Sequence, residues 1–245
     1  MFSYYVGLIF GQLDQDPDVS EQAIVGLEWT YFQALRHSER PPRTIHRAMA
    51  RDPELFCYFI SLIYLPAKDS DIEEPDPEDP ENAAALASQA YSVLHEWAHV
   101  PGADEEGRID GAALETWVKA VCKQLKAVGR VEIGDSKIGE ILSAAKRDRD
   151  QPWPPEPVRE VIETARSRAL VSGFEIGVFN RRGVTTRMPH DGGEQERVLA
   201  HRYRRDAEAL RFDWPRTSAS LERIAAGYDH DAEREDVSAQ QRDWL

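Results

Sequence analysis

Cysteine is nearly missing from this chain: Cys57 and Cys122 are the only two among 245 residues. A disulfide framework needs several paired cysteines, and a thiolate zinc cluster needs them at close spacing, so both classes drop out. Each of the two sits inside an apolar helical pattern and reads as a small core residue, which suits a reducing cytosol. Long apolar runs are missing as well. The most hydrophobic stretch, Met1 to Phe10, breaks at Gln12 and Asp14, has no basic leader or small-residue cleavage site, and is too short to span a bilayer. No membrane segment and a cytoplasmic location are expected. Basic charge is in deficit, with 30 Lys and Arg against 44 Asp and Glu, a formal net charge of -14. A phosphate backbone would be repelled by such a surface, so nucleic acid is not the expected partner. A glycine-rich phosphate loop, a dinucleotide fingerprint and a serine elbow are absent too.

What is present is helical periodicity, nearly end to end. Residues 2–13 and 19–36 read as amphipathic helices, the second capped by Asp18 or Ser20. Pro41-Pro42 breaks the chain and a helix restarts near Thr44. Asp52 then caps an apolar helix with Pro53 at its first position, running to Leu65 and stopped by Pro66. Residues 67–82 are acidic and proline-rich, with nothing to bury, and read as a solvated mobile linker in preference to an acidic docking tail. A second block of helices follows at about 83–100, 111–128, 135–146, 155–168, 169–181, 193–212 and 214–236. Arg130-Val131-Glu132-Ile133 and Gly183-Val184-Thr185-Thr186 look briefly extended. The expected fold is all-α, an irregular helical bundle or a HEAT-like helical-repeat solenoid with little or no sheet. Its expected parts are a helical block over 1–66, the acidic loop over 67–82 and a helical block over 83–245, the two blocks standing apart or forming one domain.

One motif carries chemistry. His95-Glu96-Trp97-Ala98-His99 matches H-E-x-x-H, in which two imidazoles one helical turn apart ligate Zn²⁺ and the glutamate acts as general base on a metal-bound water. Glu105, six residues after His99, falls where a third ligand would sit. On a helical wheel centred on Leu94 the apolar arc holds Leu86, Ala90, Tyr91 and Trp97, leaving both histidines on the polar shoulder. Against a zinc site, Glu105 belongs to the acidic turn Asp104-Glu105-Glu106, which supplies a carboxylate at almost any offset, and no edge strand is visible to hold a substrate. Gly102 to Ala113 also mimics a calcium loop, but the first and twelfth positions lack carboxylates. A tight turn ending in Asp110, ahead of the next helix, is the better reading.

A second cluster is basic. Arg181, Arg182, Arg187, Arg197, Arg202, Arg204 and Arg205 gather positive charge in an acidic chain, and with Asn180 the set Arg181, Arg182, Arg204 and Arg205 is the candidate anion-binding group. The competing reading is internal pairing with Glu194, Glu196, Asp206 and Glu208. Trp29, Trp97, Trp117, Trp153 and Trp214 read as interhelical core fillers, the last two pinning loops ahead of Pro154 and Pro215.

Three runs near the N-terminus, Leu27-Glu28-Trp29-Thr30-Tyr31, Pro42-Arg43-Thr44-Ile45-His46 and Asp52-Pro53-Glu54-Leu55-Phe56, are followed by Trp97, Pro101-Gly102, Gly107-Arg-Ile109-Asp110 and Trp117. With Trp153-Pro154, Gly173-Phe174, Gly177 to Val184, Gly192-Gly193, Tyr203-Arg204 and Trp214 to Thr217, they resemble a helical module in the C-terminal region of large, uncharacterised bacterial proteins. The resemblance implies a helical C-terminal region of a longer protein and carries no chemistry with it. In that pattern the segment from Trp97 to Gly102 is a helix end and a turn that does not require paired histidines. The favoured function is a non-catalytic α-helical scaffold, without cofactor, that contacts a protein partner or the N-terminal region of its own longer chain, whose helices would cover the apolar start. The alternatives are a zinc-dependent hydrolase with His95 and His99 as ligands and Glu96 as base, and an anion- or nucleic-acid-binding module built on the arginines.

Overall fold

A computed structural model of the chain describes residues 2–72, 74–183 and 192–242. Among these the fold is all-α, with eleven helices, no strand, and one isolated antiparallel bridge between Ala103 and Ile109. In chain order the helices are α1 (Phe2–Leu13), α2 (Glu21–Leu35), α3 (Thr44–Arg51), α4 (Pro53–Ile63), α5 (Pro80–Glu96), α6 (Gly111–Ala127), α7 (Val131–Leu142), α8 (Glu156–Ala165), α9 (Arg168–Asn180), α10 (Glu194–Leu210) and α11 (Pro215–Arg242). None of the described helices is long and apolar enough to cross a membrane. The chain divides into two compact units, Met1–Gly102 with Ala112–Gly134, and Ala103–Gly111 with Asp135–Leu245. The acidic segment 67–82 lies within the first.

In the first unit, local capping starts the helices. Ser20 accepts a hydrogen bond from the Ala23 amide at 3.2 Å, and Asp52 accepts one from Glu54 at 2.9 Å, with Pro53 behind it. The same Asp-Pro grammar recurs at Asp79-Pro80, where Asp79 accepts from the Asn82 amide at 3.0 Å, so α5 begins three residues before its expected start. Helix α3 has no side-chain cap of its own. Its first amides turn instead to Glu28 of α2, a carboxylate with no exposure to water, which accepts from Arg43, Thr44 and Ile45 at 3.3, 3.1 and 2.7 Å. Arg40 pairs with Glu28 and with Asp14 (2.6 Å), tying the end of α1 to the same point. Helix α1 buries Val6 and Phe10, four apart, against Ile24 and Leu35 of α2, and Gly7 lies against Ser38.

Of residues 130–133, expected to be extended, Val131 to Ile133 open helix α7 instead. Gly129, at φ 67°, closes α6 in a Schellman arrangement: the Arg130 amide bonds the Leu125 carbonyl at 2.8 Å and the Gly129 amide bonds Lys126 at 3.3 Å. The chain then turns straight into α7, and the Arg130 side chain is fully buried. Its guanidinium donates to the carbonyls of Tyr64 (2.7 Å) and Val128 (2.8 Å) and to the carboxylate of Glu74 (2.6 Å). The acidic segment is therefore docked at Glu74 and at Ala67, whose amide bonds the Gly129 carbonyl at 2.8 Å. A buried cation needs an anion, and this stretch supplies it.

The second unit packs around stacked aromatic rings and bare backbone. Trp153 donates its indole N–H to the Ala145 carbonyl (2.9 Å), stacks on Phe174 at 5.2 Å and meets Tyr203 edge-on at 5.8 Å. Tyr203 stacks on Tyr228, whose ring also meets Phe179 at 4.8 Å. Helices α7 and α9 cross at glycines: a Cβ on Gly139 would fall on the Leu170 carbonyl, and one on Gly173 would fall on the Ser136 carbonyl. Of the five tryptophans expected in cores, Trp97, Trp117 and Trp153 are buried, and Trp29 and Trp214 are half-buried.

The glycines sort into opposite classes. Gly173→Ala and Gly139→Ala force backbone apart and are expected to lower stability by roughly 2–3 kcal/mol. Gly11→Ala and Gly26→Ala add a methyl with nothing within 4 Å and are expected to raise it by roughly 0.5–1 kcal/mol. Urea unfolding of the four variants checks both signs.

Candidate functional site

The H-E-x-x-H residues do not share a helical face. Helix α5 ends at Glu96, and Trp97 takes extended backbone angles of φ -70° and ψ 119°. His95 is exposed in the last turn, its ring stacked on Tyr91 at 5.8 Å. The Glu96 carboxylate is held by Arg36 at 2.5 Å. His99 lies beyond the helix end. The cause is tertiary and local together: the Trp97 ring is buried between Phe56 (5.5 Å) and Trp117 (5.9 Å), and Pro101 has no amide to carry the helix onward. The buried face of α5 runs through Ala90 and Val93, not through Leu94, which is half-buried. Glu105 is exposed and belongs to the second unit, whereas His95, Glu96 and His99 belong to the first. Among the described residues no group of three or more His, Cys, Asp or Glu side chains is arranged to hold a metal ion.

The acidic turn is a turn. Asp104 accepts from the amide and the side chain of Arg108, both at 2.8 Å, while Gly102 and Gly107 take the left-handed backbone at φ 78° and 88°. The hydrogen bond from Arg108 holds the Asp104 carboxyl below the usual range. Helix α6 starts directly after Asp110. The cysteines carry thiols, not a disulfide, and burial pushes the Cys57 thiol up to about 12.

The chemically unusual histidine is His46 of α3. Its ring meets Phe32 edge-on at 6.1 Å, bonds the Val93 backbone, and leaves Nε2 buried without a hydrogen-bond partner. Burial lowers its pKa to about 4; the Glu28 carboxylate pulls the other way, and His99 adds a smaller lowering. No spacing in the sequence marks it, since a lone imidazole reveals its burial only in the folded chain. Between pH 6.5 and 4 the unfolded chain takes up a proton that folded His46 refuses, so stability falls as the pH is lowered through that window. The loss approaches about 3 kcal/mol at its lower end, taking 1.36 kcal/mol per unit. His46→Gln is expected to flatten the dependence of the urea midpoint on pH between 6.5 and 4 relative to the parent chain.

The arginines singled out by sequence are largely used internally. Arg181 donates to Ser143 Oγ (3.0 Å) and the Glu140 carbonyl (3.3 Å), and its burial lowers its pKa. Arg182 pairs with Glu196 and lies over the Tyr228 ring, and Arg204 pairs with Asp229. Asn180 is exposed at the end of α9, and Arg205 is exposed on α10 beside Arg197, Arg202 and His201, along a shallow depression of about 510 Å³. Arg187 and residues 184–186 fall outside the described residues. Four further arginines share a second concave surface: Arg166, Arg168, Arg216 and Arg223 line a groove of about 530 Å³ between α9 and the start of α11. Sequence reasoning missed them because they come from two separate stretches.

The remaining unusual surface is the outer face of α1. Phe2, Tyr4, Tyr5, Leu8 and Ile9 are 67, 53, 56, 49 and 57% exposed, and Leu27 and Tyr31 of α2 are also exposed, with Tyr31 in edge contact with Phe10. A helix apolar all round is ordinarily buried all round. Here one side packs on α2 and the other faces water. Comparison with known proteins finds no matching family, no matching curated protein and no matching solved structure.

Proposed function

We propose that this chain is a non-catalytic α-helical interaction module, the C-terminal part of a larger bacterial protein, which pairs with a second copy of itself through the outer face of α1. The reading rests on that face. Five large apolar side chains, each about half in water, present on the order of 500 Å² on a helix without a single charged residue, in a chain that is 30% charged. A two-fold interface sets each residue near its axis against its own copy, so a charge there meets a like charge. The α1 face has none to oppose, whereas much of the remaining surface of an acidic chain repels its double. Two such faces together cover about 1,000 Å², extended by Leu27 and Tyr31, which is the lower end of specific interfaces.

Sedimentation or light scattering over about 1–200 µM, a range that brackets micromolar affinity, is expected to show the mass rising from one copy toward two. Ile9→Glu, at a solvent-facing position, is expected to keep the helical spectrum and hold the chain at one copy. A single-copy mass at the highest concentration, as when the face is covered by other helices of a longer protein, overturns the proposal. So does a dimer that Ile9→Glu leaves intact.

A further inference from the structure

We infer that the groove between α9 and the start of α11 binds a small polyanion, a ligand carrying two or more phosphoryl or carboxylate groups. Four arginines line it, and one carboxylate, Glu175, which Arg223 (2.8 Å) and Ser220 (2.9 Å) already occupy. Arg166, Arg168 and Arg216 are exposed, and their guanidinium groups reach no carboxylate among the described residues. Arg40, Arg130, Arg147, Arg182, Arg197 and Arg204 each find a carboxylate partner. The carboxylate of Glu163 accepts from the amides of Arg216 (3.3 Å) and Thr217 (2.8 Å) and from the Thr217 hydroxyl (3.0 Å) at the start of α11. Three like charges thus line one concavity without a carboxylate partner among the described residues, in a chain of net charge -14.

The backbone points the same way. Arg166 sits at φ 48° and ψ 19°, the left-handed conformation that a Cβ disfavours and that glycine ordinarily fills after a helix. It turns α8 into α9 through a link of two residues, Arg166 and Ser167, and brings its own side chain and that of Arg168 to the groove. An arginine in this conformation is a cost that a bound anion would offset. The planar guanidinium grips phosphoryl and carboxylate groups in the same two-point manner, so the two ligand sources share one chemistry. A groove of about 530 Å³ is of small-molecule size and larger than a single phosphate needs. The site is built from residues of the second unit and α1 belongs to the first, so its test is separate from that of self-pairing.

Calorimetric titration of the full chain with tripolyphosphate and with citrate tests the inference. At least one probe is expected to bind, more weakly as salt is raised, and which one binds tells phosphoryl from carboxylate ligands. Arg168→Ala and Arg216→Ala are each expected to weaken binding about tenfold or more, while Arg51→Ala, at an exposed arginine paired with Glu21, leaves it unchanged. Arg166→Gly separates ligand binding from folding: affinity falls while the thermal midpoint holds or rises. The inference is overturned if neither probe binds, if the groove variants bind as the parent does, or if a single-stranded oligonucleotide binds while both small probes fail.

Discussion

Glu28 has no exposure to water, and the first unit is organised by what that requires. A buried carboxylate costs several kcal/mol unless hydrogen bonds replace the water it has lost. Helix α3 has the complementary need, since its opening amides have no side-chain cap of their own. Each deficiency answers the other: three amides from Arg43, Thr44 and Ile45 converge on one side chain of α2, and Arg40 completes the ring of donors. Because Arg40 also grips Asp14, the end of α1 is held at the same node. Helix α1 is therefore fixed along one side only, by Val6, Gly7 and Phe10, and its apolar outer side is left in solvent.

The second unit depends on side chains that are missing. Helices α7 and α9 touch backbone to backbone because Gly139 and Gly173 leave no Cβ between them, and Gly177 lets α9 settle against Glu140 and Ser143. Gly193 does the same for the start of α10 against Ala232 of α11. Close backbone approach fixes α9, and with it the short α8–α9 link that carries Arg166 into the groove. The rigidity that holds the arginines in place comes from glycine, a residue that by itself loosens a helix.

The H-E-x-x-H match shows what a local pattern leaves out. Its chemistry needs five residues in one unbroken turn. The chain instead breaks helix at the middle residue, because the Trp97 ring has more to gain from Phe56 and Trp117 than from continuing along the helix face, and because Pro101 forbids continuation. Glu96, the presumptive base of the motif, is taken up by Arg36. The histidine whose proton affinity is far from ordinary is His46, which belongs to no motif.

Helix positions, the caps at Ser20 and Asp52 and three of the five expected core tryptophans were legible in the chain because they depend on neighbours three or four residues apart. Ser20, Asp52-Pro53 and the apolar spacing of α1 announce themselves in this way. The partners that matter most are distant: Glu28 and Ile45 are 17 residues apart, Arg130 and Tyr64 are 66 apart, and Arg216 meets Glu163 across 53. Before folding, Glu28 is indistinguishable from a surface glutamate on an amphipathic helix, and Gly173 looks like a weak point and not a contact. Local spacing decided where the helices lie. Burial and backbone approach, which exist only once the helices have packed, decided which charges are paired, which face of α1 is bare and which arginines share a groove.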